Sequence, residues 1–183
     1  MLKIAHLINP FNADSASDLY KAQPITFESM RQAKAYANEQ VEIELLSVHY
    51  SEDRNMLPKG FEELDLLEQS VLDYGNFSTA LKLPLISEIL DKAYHRTDAD
   101  YIIYTNVDIG LYPQFYERVA QLIQEGNDAI IVNRKRLPEV FPKINEIDSI
   151  FQIEGKPHPG FDCFIFKREL FPKMQLEKVC IGV

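Results

Sequence analysis

The sequence predicts an α/β protein: a three-layer α/β/α sandwich with a mainly parallel sheet. Three observations lead there. Short apolar runs at 3–8, 41–48, 101–105 and 129–132 have the length and composition of buried strands. Stretches between them carry apolar residues at helical spacing, the alternation that gives crossover connections and puts helices on both faces. No internal repeat, low-complexity tract or linker interrupts 183 residues, so residues 1–183 read as one domain.

Lys3 to Ile8 is the first expected strand, closed by Asn9 and Pro10, because proline cannot donate to a ladder. Phe11 to Lys21 is polar and reads as a loop. Pro24 suits a first helical turn, and Phe27, Met30, Ala33 and Ala37 then share one helical face. Val41, Ile43 and Leu45 alternate with Glu42 and Glu44, which marks Val41 to Val48 as a half-buried strand. His49 to Gly60 is polar and loop-like. Phe61 to Tyr74 fits a helix or includes a short strand.

Leu81 to Tyr94 is a clearer helix, with Ile86, Ile89, Leu90 and Ala93 as its stripe and Pro84 near its start. Tyr101 to Thr105 is the next strand. Pro113 opens a helix with Phe115, Tyr116, Val119, Leu122 and Ile123 inward and Gly126 as its stop. Ala129 to Val132 is a further strand, followed by the basic cluster Asn133-Arg134-Lys135-Arg136. Pro138 to Gly160 reads as a long loop with an apolar island at Ile150–Ile153. Cys163 to Phe166 is the last strand and Glu169 to Met174 a short helix.

Composition narrows the function. The formal charge is −9, which disfavours a nucleic-acid binder needing a basic face. Two cysteines, Cys163 and Cys180, suit reduced thiols rather than a disulfide framework or zinc cluster. No run reaches the ~18 apolar residues of a membrane span, and Met1-Leu2-Lys3-Ile4 does not resemble a signal segment. A cytoplasmic location is the expectation. The apolar end Val179–Val183 suggests a docked last strand or a chain truncated before its next element.

No P-loop, no G-x-G-x-x-G after the first strand and no G-x-S-x-G elbow occurs. Weight therefore falls on Asn106-Val107-Asp108, a polar strand end finishing in a carboxylate. Ligands of open α/β sheets bind beyond the carboxyl ends of strands. Asp108 there can hold Mg²⁺ or Mn²⁺ and through it a phosphate, or simply cap the next turn. Asp162 suits a general base toward a hydroxyl, or a loop-end cap. His158 is either a metal or phosphate ligand beside it or an ordinary surface histidine. Asp53 can accept from a nucleotide base. Arg134, with Lys135 and Arg136, can meet a diphosphate, or form a solvated basic turn. Tyr104 and Tyr112 flank the triplet and suit stacking or plain packing.

Taken together, Asn106-Val107-Asp108, the helix and Asp98-Ala99-Asp100 leading into it, Leu111–Phe115 after it, and His158–Arg168 resemble the GT-A glycosyltransferases. Ile8-Asn9-Pro10-Phe11-Asn12 is similar to that family's first strand end, which touches the nucleotide base. The resemblance covers about two thirds of the chain, in the family's order. It implies a nucleoside diphosphate sugar donor, a hydroxyl-bearing acceptor (glycan, lipid or small molecule) and metal-assisted glycosyl transfer. In that reading Asn9, Pro10, Asp53, Asn106 and Arg134 face the donor, Asp108 and His158 face Mn²⁺ or Mg²⁺, and Asp162 is the base. Asn106 departs from the family's pattern, since it offers an uncharged oxygen where a second carboxylate is usual. With the short length, that keeps open a non-catalytic nucleotide-sugar-binding or scaffold domain. A sugar nucleotidyltransferase ranks lower, because its glycine-rich loop has no counterpart in Asn9 to Asp18.

Overall fold

A computed structural model describes residues 1–37, 41–138 and 142–181. Among the described residues six strands form one sheet: β1 (Leu2–Ile8), β2 (Val41–Ser47), β3 (Glu62–Glu63), β4 (Tyr101–Thr105), β5 (Ala129–Arg136) and β6 (Lys156–Lys167). Their order is β3-β2-β1-β4-β6-β5. The pairs β1–β2, β1–β4 and β2–β3 are parallel, whereas β6 runs antiparallel to both β4 and β5.

The described α-helices that flank the sheet are α1 (Asp18–Tyr36), α2 (Ile86–Arg96) and α3 (Phe115–Gln124). Phe27, Met30 and Ala33 of α1 and Tyr116, Val119 and Ala120 of α3 pack on one face, against Ile4, Ile103 and Ile165. Ile89, Leu90 and Ala93 of α2 pack on the other, against Ala5, Leu7, Ile102 and Phe166. These are the three layers expected. β4 is buried at all five positions, Tyr101 through Thr105, because both its faces are covered.

Helix α1 begins six residues before the expected Pro24. Ser17 caps it, its hydroxyl accepting from the Leu19 N–H at 3.1 Å, and Asp18 stands in the first turn, favourable for the helix dipole. Pro24 sits inside the helix. Beside it Gln23 is fully buried, accepts from the Phe11 N–H at 3.1 Å and donates to the Phe11 carbonyl at 2.9 Å, which ties α1 to the loop after β1. Polarity at 11–21 hid this start, since the first turns of α1 are half-exposed. Helix α2, by contrast, starts only at Ile86; residues 81–84 lie before it, and Pro84 pairs with Ser70 in an isolated bridge.

The stretch 61–74 contains β3 and a 3₁₀ turn at Val71–Tyr74, not a long helix. A 3₁₀ turn at Ser51–Met56 occupies the loop after β2. Gly126, with φ of 95°, closes α3 in the left-handed region, as expected of its stop. Two larger departures concern the antiparallel side. β5 runs on through the basic cluster to Arg136, and β6 begins at Lys156, seven residues before Cys163. Of the expected loop 138–160, residues 139–141 lie outside the described residues, Ile144–Gln152 form a 3₁₀ segment, residues 156–160 join β6, and 142–143 and 153–155 remain irregular connections. Near the end, Val179 accepts from the Ile86 N–H at 2.9 Å and Ile181 donates to the Pro84 carbonyl at 3.3 Å, so this segment docks at the start of α2. Gly182 and Val183 lie outside the described residues. No described helix is long and apolar enough to cross a membrane.

Candidate active site

Beyond Thr105 the chain leaves β4 with every second residue anchored: Val107, Ile109 and Leu111 are buried. Two hydroxyls of α1 hold this segment. Thr26 donates to the Val107 carbonyl at 2.8 Å, and Ser29 accepts from the Leu111 N–H at 3.0 Å. Both hydroxyl residues are buried, so each bond is made away from water, where leaving it unmade is costly. The result fixes Asp108 at the rim of a cleft. Neither Thr26 nor Ser29 stood out in the sequence. Their signal was two small polar residues set three apart beside the apolar stripe of α1.

On β5, Ile130 and Val132 turn toward the α1–α3 face and pack against that core. Arg134 is next in the same alternation. Its guanidinium therefore comes over the end of β4, where Nη1 donates to Asp108 Oδ2 at 2.9 Å.

The β5–β6 ladder is irregular where the remaining residues lie. Val132 pairs with Cys163 but Asn133 pairs with Phe161, so Asp162 is an extra residue on β6. The ladder slips again between Asn133 and Lys135, which pairs with Pro157, and His158, Pro159 and Gly160 fall in that second slip. Bulges re-aim side chains beside functional sites. Here the first brings Asp162 to Arg134: Nε and Oδ2 form an ion pair at 3.1 Å, with Asp162 only 12% exposed. Asn106 donates to Asp162 Oδ1 at 3.3 Å. His158 Nδ1 accepts from the Gly160 N–H at 3.0 Å, and its Nε2 is 3.5 Å from Arg134 Nη2. A Cβ at Gly160 would fall 2.8 Å from the His158 ring, so a side chain there would displace that ring.

Asn106, Asp108, Arg134, His158 and Asp162 thus meet in one place. A cleft of about 720 Å³ opens beside them, within the size range of small-molecule sites. Its walls include Leu19 and Ile25 of α1, Lys135 and Arg136 of β5, and Phe151 of the 3₁₀ segment. Tyr112, also in the wall, stacks on Phe151 with ring centroids 4.7 Å apart. Tyr104 instead lies buried under α2, and burial raises its hydroxyl pKa; it packs rather than stacks on a ligand.

The residues expected at a nucleotide base lie farther along the same sheet edge, at the ends of β1 and β2, and do not line this cleft. The Asn9 amide donates to the Val48 carbonyl at 2.7 Å, and Asp53 Oδ1 accepts from the Asn12 N–H at 2.8 Å. Both side chains tie the β1 loop, with Pro10 inside it, to the β2 end. Near the site, burial and the Asp162 charge push the Cys163 thiol up to about 12. Beneath it, His6 is fully buried between Tyr116 and Thr105, at 2.8 and 2.9 Å, and burial lowers its pKa to about 3.

The Mn²⁺ or Mg²⁺ ion expected on Asp108 and His158 would need free donor atoms there. Arg134 already engages Asp108 and Asp162, and the Gly160 N–H occupies His158 Nδ1. Among the described residues no three Asp, Glu, His or Cys side chains gather to hold a metal ion. A hard cation wants several free oxygens, so these residues, as arranged, do not fit one.

No protein-family model matches the chain, and no curated protein matches it in sequence. Solved structures do match in shape. The bifunctional IspDF of Campylobacter jejuni aligns with a TM-score of 0.52 at 12% identity, over 96% of this chain and 44% of that one. The 4-diphosphocytidyl-2C-methyl-D-erythritol synthase of Anaerococcus prevotii gives 0.52 at 8%, over 94% and 76%. Residues 1–349 of S. aureus TarS give 0.52 at 10%, over 94% and 49%. The chain has the nucleotide-diphospho-sugar transferase-like fold. It spans about half the length of IspDF and of the TarS fragment. The neighbours are nucleotidyltransferases and a glycosyltransferase, and identities this low carry the fold alone.

Proposed function

We propose that the chain transfers a glycosyl group from a nucleoside diphosphate sugar to a hydroxyl-bearing acceptor. One observation carries this reading: Asp108 and Asp162, distant in sequence, are drawn together by Arg134 beside a cleft at the carboxyl edge of such a sheet. In this reading Asp162 takes the acceptor proton as the sugar bond breaks. Among the described residues its Oδ1 has one hydrogen-bond donor, Asn106 at 3.3 Å, and can accept from a hydroxyl. Tyr112 and Phe151 offer aromatic surface to a sugar ring. The Asn9–Pro10 and Asp53 ends of β1 and β2 would border the base, chiefly through the backbone they fix. A nucleotidyltransferase role has less support, because 9–18 contains no glycine.

The test is a thermal-shift panel of UDP- and GDP-sugars followed by transfer assays. Stabilisation by at least one nucleotide sugar, with transfer lost in Asp162→Asn while binding persists, is the expected outcome. Binding with undiminished transfer in that variant removes Asp162 from the mechanism. Binding without transfer to any acceptor favours a non-catalytic domain.

A further inference from the structure

The cation already in this site belongs to the protein. Arg134 bridges Asp108 at 2.9 Å and Asp162 at 3.1 Å, the place a divalent ion would take between two carboxylates. A guanidinium is always charged and presents five N–H donors in a rigid fork. Asp108, Asp162 and His158 together face three of its nitrogens, which leaves a second N–H on each Nη of a residue lining the cleft. Two carboxylates against one Arg leave a negative balance that would repel a diphosphate. Lys135 and Arg136 correct it. They follow Arg134 on β5, line the same cleft and have no ion pair among the described residues.

We infer that this site holds a nucleoside diphosphate with protein cations, Arg134 together with Lys135 and Arg136, in place of a divalent metal. The inference rests on the proposed nucleotide-sugar reading. Arg134 holds the two carboxylates in register and turns its spare N–H groups to the phosphate oxygens. Lys135 and Arg136 supply the remaining charge at the rim. A metal ion and Arg134 compete for the same oxygens, so the protein binds one or the other.

Two measurements on the full chain decide it. UDP and GDP are titrated with excess EDTA and again with Mn²⁺, reading the shift in melting temperature. Equal shifts in both buffers, lost in Lys135→Ala/Arg136→Ala, are expected. A shift only with Mn²⁺ overturns the inference and leaves the proposed function standing; no shift with either nucleotide in either buffer overturns the inference and counts against that function. Separately, Mn²⁺ alone is titrated by electron paramagnetic resonance into the wild type and Arg134→Met. The variant, freed of its guanidinium, should bind Mn²⁺ about tenfold or more tightly than the wild type. Equal affinity for both proteins sinks the idea. The wild-type titration stands even if Arg134→Met fails to fold, since tight stoichiometric Mn²⁺ binding there is equally fatal.

Discussion

β4 and β5 look alike in the sequence, two short apolar runs after a helix, yet they behave differently. β4 sits inside the sheet, parallel to β1 and antiparallel to β6, with helices on both faces, and is buried at every position. β5 is an edge strand paired only with β6, and its positions alternate between exposed and half-buried. Ile131 is 56% exposed, whereas Ile103 on β4 is fully buried. The parallel half therefore supplies the rigid frame. The antiparallel half, with less of its surface committed to the core, is free to bulge and carries Arg134, His158 and Asp162. Stability resides mainly in the first region and the proposed chemistry in the second.

The largest expected effect tests the second half of that contrast. Asp162→Asn should lower glycosyl transfer by about 10²- to 10⁴-fold, the usual worth of a general base. Its melting temperature should stay near wild type. A large loss of stability would mean that Asp162 belongs to the frame. Next comes the frame itself. Ile103→Ala should cost about 2–5 kcal/mol by urea denaturation, while Ile131→Ala on β5 should stay within about 0.5 kcal/mol. Comparable losses would erase the distinction.

His6 gives the frame a pH dependence. Its folded pKa of about 3 lies below the ordinary 6.5, so the unfolded chain binds the extra proton first. The contribution is fully present above pH 6.5 and declines as pH falls toward 3. Between pH 7 and 5 stability should drop by roughly 2 kcal/mol, and His6→Gln should flatten that slope. A slope unchanged in the variant would assign it to other groups.

Ser29→Ala links the two regions. It leaves the buried Leu111 N–H without its acceptor and should cost about 1–3 kcal/mol, with nucleotide binding weakened as the Asp108 segment loosens. Undisturbed binding would show that Asp108 keeps its place without the Ser29–Leu111 bond. Smallest is a labelling contrast. Cys163, buried with its thiol pushed up to about 12, should resist a disulfide reagent at pH 8, whereas the more exposed Cys180 reacts. Equal labelling of both in the native protein would mean that the β4–β6 pairing opens readily.

The parallel half was legible because its signals are local. β4 falls at Tyr101–Thr105 as read, and β1 within one residue, since a strand covered on both faces must be continuously apolar. Gly126 stopped α3 as expected, because a positive φ favours glycine. Misreadings arose where tertiary contacts override composition. α1 starts at the Ser17 cap and runs on through Pro24, with Gln23 buried against the loop after β1. The basic residues of β5 look like a turn, although an edge strand exposes alternate positions and tolerates charge.

The sequence by itself determined the layered α/β plan, the end of β4 and the candidates Asp108, Arg134, His158 and Asp162, because apolar periodicity and residue chemistry are written locally. Only the tertiary structure decided that these four meet, that Asn9 and Asp53 are bound up in their own loop, and that the partner of Asp108 is Arg134. Those outcomes depend on the register of β5 against β6, where one extra residue turns Asp162 toward the cleft. Such a slip is set by long-range pairing and leaves no mark in the sequence around it.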